Sequence, residues 1–485
     1  MNRLLVVAHV LGGLLMVFSA TFVPPLAWSL AVGDGAYPGF VVSAIACLAT
    51  GGATWLLTRR FRRELEPRDG PLLVVLGWIV MAFAAMVPLS LEIPQLSFTD
   101  AFFESVAGLT TTGSTTLSGL DTLPQSVNLW RHALQWYGGL GIIVMAIAIL
   151  PMLGVGGMQL YKAEMAGPMK ESKLTPRITQ TAKYLWLIYI ALTAACIGSL
   201  KLAGMNWFDA VRHGLSTLAL GGYSNRDGSV GDFDSPLIEA VMIAFMLCAV
   251  LSFTMHFRAW RARSPLIYLA DAESRAVLSV LLGSGLMLAV YLYLQGIYDG
   301  FDVALRHAMF AAVSVGTSAG YMGVDYAAWP VFAPMWLLFL ACIASSAGST
   351  GGGIKMVRTL ILLRQAAREL RRLVHSRAVA PLTLNGQVVE NRIIFAVLGY
   401  MLLWGATQTM LTFAMMASGL DFESAFSSVV ASVNNLGPAY GRFGPASNFS
   451  ALSDLQTWLL AIAMIAGRLE LLTFFVVLTP TFWRR

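Results

Sequence analysis

Charge is what this chain has least of. Asp, Glu, Lys and Arg make up 12% of its 485 residues, and 57% are hydrophobic. Soluble domains carry about 25% charged residues. A mean hydropathy of +0.69 points the same way. A soluble globular fold is therefore excluded before any motif is read. Cysteine is also scarce. Cys47, Cys196, Cys248 and Cys342 lie far apart inside apolar runs, which excludes a disulfide scaffold and a thiolate metal site. The six histidines are scattered and no H-E-x-x-H occurs, so a zinc-hydrolase centre is not expected. A Rossmann fingerprint is missing. The stretch Gly348–Gly353 has part of a phosphate-loop spacing, but Ile354 separates Gly353 from Lys355 and neither Ser nor Thr follows. The chain is expected to bind neither nucleotide nor any cofactor itself.

What is present is a series of long apolar runs. A crossing helix needs about 20 such residues. Ten spans are expected, near 3–22, 38–58, 71–90, 134–155, 183–203, 236–257, 276–296, 332–364, 393–417 and 455–479, the eighth broken in the middle. The N-terminal run lacks a small-x-small cleavage site and reads as a retained helix. The net charge of +6 is a matter of topology rather than of nucleic acid. With the N-terminus inside, inner segments hold 25 of the 32 Lys and Arg residues, six fall outside and Arg468 lies within a span. The basic inner loops at 156–182 and 358–392 are candidate partner surfaces as well as orientation signals.

Four apolar stretches are too short to cross: 98–110, 207–218, 302–315 and 421–433. Each starts near an acid (Asp100, Asp209, Asp302, Asp421), which favours the free N–H groups of a helix start. Each ends in a glycine-containing loop. The topology predicts all four loops on the outer side. The central glycines, Gly113, Gly222, Gly320 and Gly437, are 109, 98 and 117 residues apart. One glycine is ordinary helix packing; four at equivalent places form an internal repeat. The predicted fold is an all-α integral membrane protein. Two helices (1–70) precede four helix–pore loop–helix units (71–158, 159–258, 259–375, 376–485) around one central pore.

The loops differ in side chain before the glycine: Thr111-Thr112-Gly113, Leu220-Gly221-Gly222, Ser318-Ala319-Gly320 and Asn435-Leu436-Gly437. Leucine is a poor ligand, so backbone carbonyls are the expected ligands of a monovalent cation, with glycine allowing them to turn inward. The second candidate element is the break at Gly348-Ser349-Thr350-Gly351-Gly352-Gly353, closed by Lys355. Glycine costs about 1 kcal/mol each in a helix, and irregular backbone at membrane depth must face protein or a water-filled cavity. This is the expected gate. Arg468 is a charge at mid-membrane. It either repels ions below the loops or pairs with Glu470 or a loop carbonyl.

Gly108-Leu109-Thr110-Thr111-Thr112-Gly113-Ser114, Trp136-Tyr137-Gly138-Gly139-Leu140-Gly141-Ile142-Ile143 and Ser349-Thr350-Gly351-Gly352-Gly353-Ile354-Lys355 closely match motifs of one family. The chain resembles the TrkH/KtrB potassium transporters of the Trk/Ktr/HKT superfamily along essentially its whole length, and its two extra N-terminal spans look like the TrkH branch. The resemblance implies K+ uptake, K+ ligated at the twelve loop residues above, and a homodimer in a bacterial inner membrane with both termini cytoplasmic. It also implies a cytosolic nucleotide-binding regulator of the TrkA type. Coupling to H+ or Na+ is left open. Pro438 after the fourth glycine is the largest departure from the pattern. Three other readings remain: a Na+-conducting relative, a pump-associated channel subunit, and an intramembrane hydrolase suggested by Gly316-Thr317-Ser318-Ala319-Gly320, which matches G-x-S-x-G.

Overall fold

The computed structural model describes residues 2–61, 65–66, 68–148, 178–375 and 380–484. The chain is mostly helical. Helix α1 (Asn2–Phe18) runs through a short 3-10 turn into α2 (Val23–Val32), so the first apolar segment is longer than expected. There follow α3 (Tyr37–Leu57), α4 (Asp69–Glu92), α5 (Phe98–Leu109), α6 (Gln125–Ala148), α7 (Ile178–Leu202) and α8 (Trp207–Ala219). Next come α9 (Pro236–Val250), α10 (Phe253–Ala262), α11 (Leu266–Ala270), α12 (Ala272–Leu294), α13 (Phe301–Gly316), α14 (Phe332–Ile343) and α15 (Met356–Val374). A small antiparallel hairpin, Thr383–Leu384 with Gln387–Val388, turns on Asn385-Gly386, both at positive φ. The chain ends with α16 (Asn391–Ala417), α17 (Phe422–Val433), α18 (Asp454–Arg468), α19 (Leu471–Leu478) and α20 (Pro480–Trp483).

Polarity is distributed inside out. Leu57, Phe395, Leu402, Met410 and Phe413 point outward, whereas Glu104, Arg131, Asp209, Arg212 and Arg468 are buried. Apolar exterior and paired polar interior are what a lipid solvent selects. Six described helices are long and apolar enough to cross a membrane, or eight if each of two bent pairs is one span. The fourth expected span ends, at 149–155, outside the described residues, as does nearly all of the basic loop 156–182.

The expected straight spans at 236–257 and 455–479 are corrected. The first bends by 95° between α9 and α10, and the second by 113° between α18 and α19. With the α14–α15 interruption at 344–355, three helical segments break. Leu251-Ser252 and Leu469-Glu470 contain neither Gly nor Pro, so the sequence offered no breaker there. The second break is instead made by Glu470, which sits at φ 64° at the start of α19.

The N-terminal pair packs by close backbone approach. A Cβ placed on Gly12 would lie 2.8 Å from the Gly51 carbonyl oxygen, and one on Gly51 would lie 2.8 Å from that of Gly12. Small residues of this kind let membrane helices touch. Gly51→Val should therefore cost about 1–3 kcal/mol by overpacking, read as a lower thermal midpoint of the detergent-solubilised protein.

Candidate functional site

The four short helices α5, α8, α13 and α17 each lead into one of the predicted loops. Their starts are capped differently from expectation. Ser97 accepts the Asp100 N–H at 3.1 Å, and Asn206 accepts the Asp209 N–H at 2.8 Å. Gly300 precedes α13 without a side-chain cap. Of the four acids only Asp421 is itself the cap. It accepts the Ser424 N–H at 3.0 Å, which holds its carboxyl below its ordinary value.

The helix ends repeat one backbone pattern. Thr111, Leu220, Ser318 and Asn435, each two residues before the glycine, lie at φ 53°, 53°, 64° and 53°. Gly113, Gly222 and Gly320 lie at φ 77–82°, while Gly437, before Pro438, is not in the positive region. The loop N–H groups fold back on their own helices. Thr112 N donates to Ala107 O (2.8 Å), Gly221 N to Ser216 O (3.0 Å), Gly320 N to Ser314 O (3.0 Å) and Leu436 N to Ala431 O (2.8 Å). In loops one, two and four the donor is the residue before the ring glycine, five residues after its acceptor; in loop three it is the glycine itself, six residues after its acceptor.

The loops close on one another. A Cβ on Gly113 would overlap the Gly221 carbonyl oxygen, and one on Gly222 would overlap that of Ala319. One on Gly320 would meet Pro438 Cδ at 2.7 Å, and one on Gly437 would lie 3.1 Å from the carbonyl oxygens of Thr112 and Gly113. Loop one thus touches two, two touches three, three touches four and four touches one. Of the twelve residues singled out, Thr112, Gly113, Gly221, Gly222, Ala319, Gly320, Leu436 and Gly437 make these contacts, while Thr111, Leu220, Ser318 and Asn435 are the positive-φ residues that lead into them.

Side chains that the sequence did not single out tie the quadrants together. Tyr223 donates its hydroxyl to Glu104 Oε2 at 2.8 Å, and Arg131 stacks over its ring while pairing with the same carboxylate at 3.5 Å. Tyr321 reaches back to the Thr217 hydroxyl at 3.2 Å. Each tyrosine follows a ring glycine and anchors its loop to the preceding short helix. Ser114 Oγ donates to Gly437 O at 2.9 Å, and Asn435 Nδ2 donates to Thr112 Oγ1 at 3.1 Å, where the ring closes.

The glycine-rich break lies directly against three helix ends. Thr350 Oγ1 donates to Leu218 O at 3.1 Å at the end of α8. Gly351 comes against Thr317 O at the end of α13, and Gly352 against Asn434 O at the end of α17, leaving no room for a Cβ at Gly352. The Gly352 N–H also donates to Ser318 Oγ at 2.9 Å. Gly348, Gly353 and Lys355 lie at φ 73°, 85° and 77°. Two cations hold this segment. Arg468 Nη1 donates to Thr350 O at 2.7 Å while its Nη2 donates to Gly138 O at 3.3 Å, and Lys355 Nζ donates to Gly351 O. Arg468 therefore meets one carbonyl of the break and one of α6, and Glu470 pairs instead with Arg358 at 2.7 Å. The α9–α10 break joins the same segment, through Ser346 N to Val250 O (3.2 Å) and Phe253 N to Gly348 O (3.1 Å). Ser349 Oγ donates to Ser346 O at 2.7 Å. The hydrolase reading has no support here, because Ser318 stands on a helix-to-loop end rather than a strand-to-helix elbow.

A helical membrane chain centred on a closed ring of four glycine loops, with a cation-held glycine break against them, has the architecture of a transport protein. Comparison with known proteins bears on which one. The family model described as TrkH, cation transport protein, matches residues 37–484. The Trk system potassium uptake protein TrkH of Salmonella typhimurium is 45% identical over 479 residues, covering 99% of each chain. TrkG of Escherichia coli strain K12 is 35% identical over 480 residues, covering 99% of this chain and 98% of its own. The crystal structure of the potassium transporter TrkH from Vibrio parahaemolyticus superposes with a TM-score of 0.91 at 42% identity, covering 99% of this chain and all of that one. The chain belongs to the TrkH family.

Gly222→Ala places a Cβ on the Ala319 carbonyl at a backbone angle that alanine disfavours. It is expected to abolish ion flux in reconstituted liposomes while the protein still elutes as a folded species.

Proposed function

We propose that this chain takes up potassium across a bacterial cytoplasmic membrane through a gated, selective pore. The ring of four loops is its filter, with carbonyls of the residues around Gly113, Gly222, Gly320 and Gly437 replacing the hydration shell of K+. The observation that carries the reading is the loop geometry. Positive φ recurs two residues before the glycine in all four loops, and again at three of the four glycines, a backbone conformation that allows peptide units to turn over. Membership of a family whose members are named for potassium uptake supports the same ion. The C-terminal ends of the short helices add partial negative charge at the centre.

In this reading the membrane is crossed ten times, α6 and the α14–loop–α15 unit completing the eight spans counted by length. The segment 348–353, held by Lys355 and Arg468, is the gate. In the arrangement described here it lies against the helix ends, where an ion leaving the ring must pass. Opening requires Thr350 O and Gly351 O to leave their cations, so gating is an exchange of hydrogen bonds rather than the swing of a rigid lid. A homodimer, inner-facing termini and a cytosolic nucleotide-binding regulator of the TrkA type complete the proposal. The exposed basic face of α15, with Arg364, Arg371 and Arg372, is offered as the regulator's surface. K+ is cargo, not a resident cofactor.

Flux of K+, Rb+ and Na+ into liposomes tests the filter. Wild type should pass K+ and Rb+ well ahead of Na+, and Gly113→Ser should cut the K+/Na+ ratio by roughly tenfold or more, about 1.4 kcal/mol per factor of ten. Equal K+ and Na+ flux in wild type would overturn selectivity. Arg468→Ala should raise resting flux by about tenfold, since a charged hydrogen bond is worth about 1.5–3 kcal/mol, and should leave the K+/Na+ ratio in place. Unchanged flux with normal folding would remove Arg468 from the gate.

A further inference from the structure

The second loop contains a glycine that the ring does not explain. Gly222 is the ring glycine, yet Gly221 precedes it where the other loops carry Thr112, Ala319 and Leu436. Gly221 has an ordinary φ, so backbone strain does not demand it. What demands it is Gln135. A Cβ on Gly221 would overlap the Gln135 amide carbon and oxygen.

Gln135 is fully buried on α6 and takes the backbone of this loop from both sides. Its Nε2 donates to Gly221 O at 2.6 Å, and its Oε1 accepts the Tyr223 N–H at 3.2 Å. A carbonyl accepts only and a backbone N–H donates only, so these two partners fix which way the amide points. The helix that carries it is wedged into place one turn further along. A Cβ on Gly138 would overlap Leu109 O at the end of α5, and one on Gly139 would lie 3.2 Å from Ala219 Cα at the end of α8. Glycines 138 and 139 bring α6 against the ends of two short helices, and that contact sets the depth at which Gln135 enters the ring.

The other quadrants lack the equivalent. In the fourth repeat Gly467 sits against Val433 O as Gly138 sits against Leu109 O. Three residues before Gly467 stands the apolar Met464, where α6 has Gln135. Among the described residues, no side chain donates to the carbonyl of Thr112, Ala319 or Leu436. Among the described residues, one of the four carbonyls preceding the ring glycines thus accepts a side-chain hydrogen bond.

We infer that Gln135 is a specificity-setting positioning residue, which fixes the direction and reach of the Gly221 carbonyl and makes one quadrant of the filter stiffer than the rest. The inference rests on the carbonyl-ring reading. In the snug-fit account, discrimination against a smaller cation rests on oxygens that do not follow it inward. An oxygen with one lone pair engaged by a buried N–H, on a loop gripped at the next residue but one as well, resists that collapse. The amide never touches the ion.

Two variants test this in liposomes containing the full chain, with Gly113→Ser as reference. Gln135→Met keeps the approximate volume and loses both bonds. Gln135→Glu keeps an acceptor for Tyr223 N–H and loses the donor to Gly221 O. Both should lower the K+/Na+ flux ratio by about tenfold, mainly by raising Na+ flux. A ratio unchanged in both, while Gly113→Ser lowers it, would overturn the role of Gln135 and leave the filter standing. A ratio unchanged in Gly113→Ser as well would instead bring down the filter reading. Equal loss of K+ and Na+ flux in both variants, with normal elution and melting, would make Gln135 merely structural and overturn the inference.

Discussion

Everything at the centre of this molecule depends on backbone lying against backbone with no side chain between. Gly113, Gly222 and Gly437 each face a neighbouring loop's carbonyl oxygen across a gap that a methyl group would fill, and Gly320 faces the Gly437 N–H region and Pro438. The contact runs round the ring, so no loop can move outward or rotate without disturbing the next. The same device recurs one layer away. Gly138 lies on Leu109 O, Gly467 on Val433 O and Gly352 on Asn434 O. Short helices are docked by their carboxyl ends onto glycines of α6, of α18 and of the 348–353 break, which leaves their terminal carbonyls shielded from lipid.

This constraint explains why the interior is so polar. The helix ends and loops expose carbonyls in a region that water does not reach freely, and unsatisfied polar groups there cost several kcal/mol. Glu104, Arg131 and Tyr223 on one side, and Thr217 with Tyr321 on another, answer this with charged or hydroxyl partners. Arg468 answers it with a guanidinium shared between Thr350 O and Gly138 O, linking the break in one quadrant to the α6 wedge of another. A packing element and a proposed gating element are therefore joined by a single side chain.

The sequence made the repeat legible because each quadrant announces itself locally, by an acid, a short apolar stretch and a glycine about a hundred residues after the last. The bounds of α5, α8, α13 and α17 fall within one or two residues of those read from hydropathy. The breaks after Val250 and Arg468 were hidden, because they are made by tertiary bonds to Gly348 O and by the positive φ of Glu470 rather than by helix-breaking residues. Gln135 was hidden for a related reason. Its partners lie 86 and 88 residues away, and a glutamine in a membrane helix does not say which carbonyl it seeks. The doubled glycine at 221–222 was the available signal, and it has meaning only once its neighbour across the ring is known.

One chain supplies all four quadrants, and this frees each from the others. Were the ring an assembly of four identical subunits, every residue near the axis would appear four times. Four copies of a guanidinium such as that of Arg468 would make six mutually repelling pairs. At 10 Å and an effective dielectric of 20 that is about 1.7 kcal/mol for each pair. Fusion into one polypeptide allows Arg468, Pro438 and Gln135 each to stand in one quadrant beside a nearly fourfold backbone. Substitutions then arrive a quarter at a time, and the lineage can retune the ring in small steps that a homotetramer could take only fourfold.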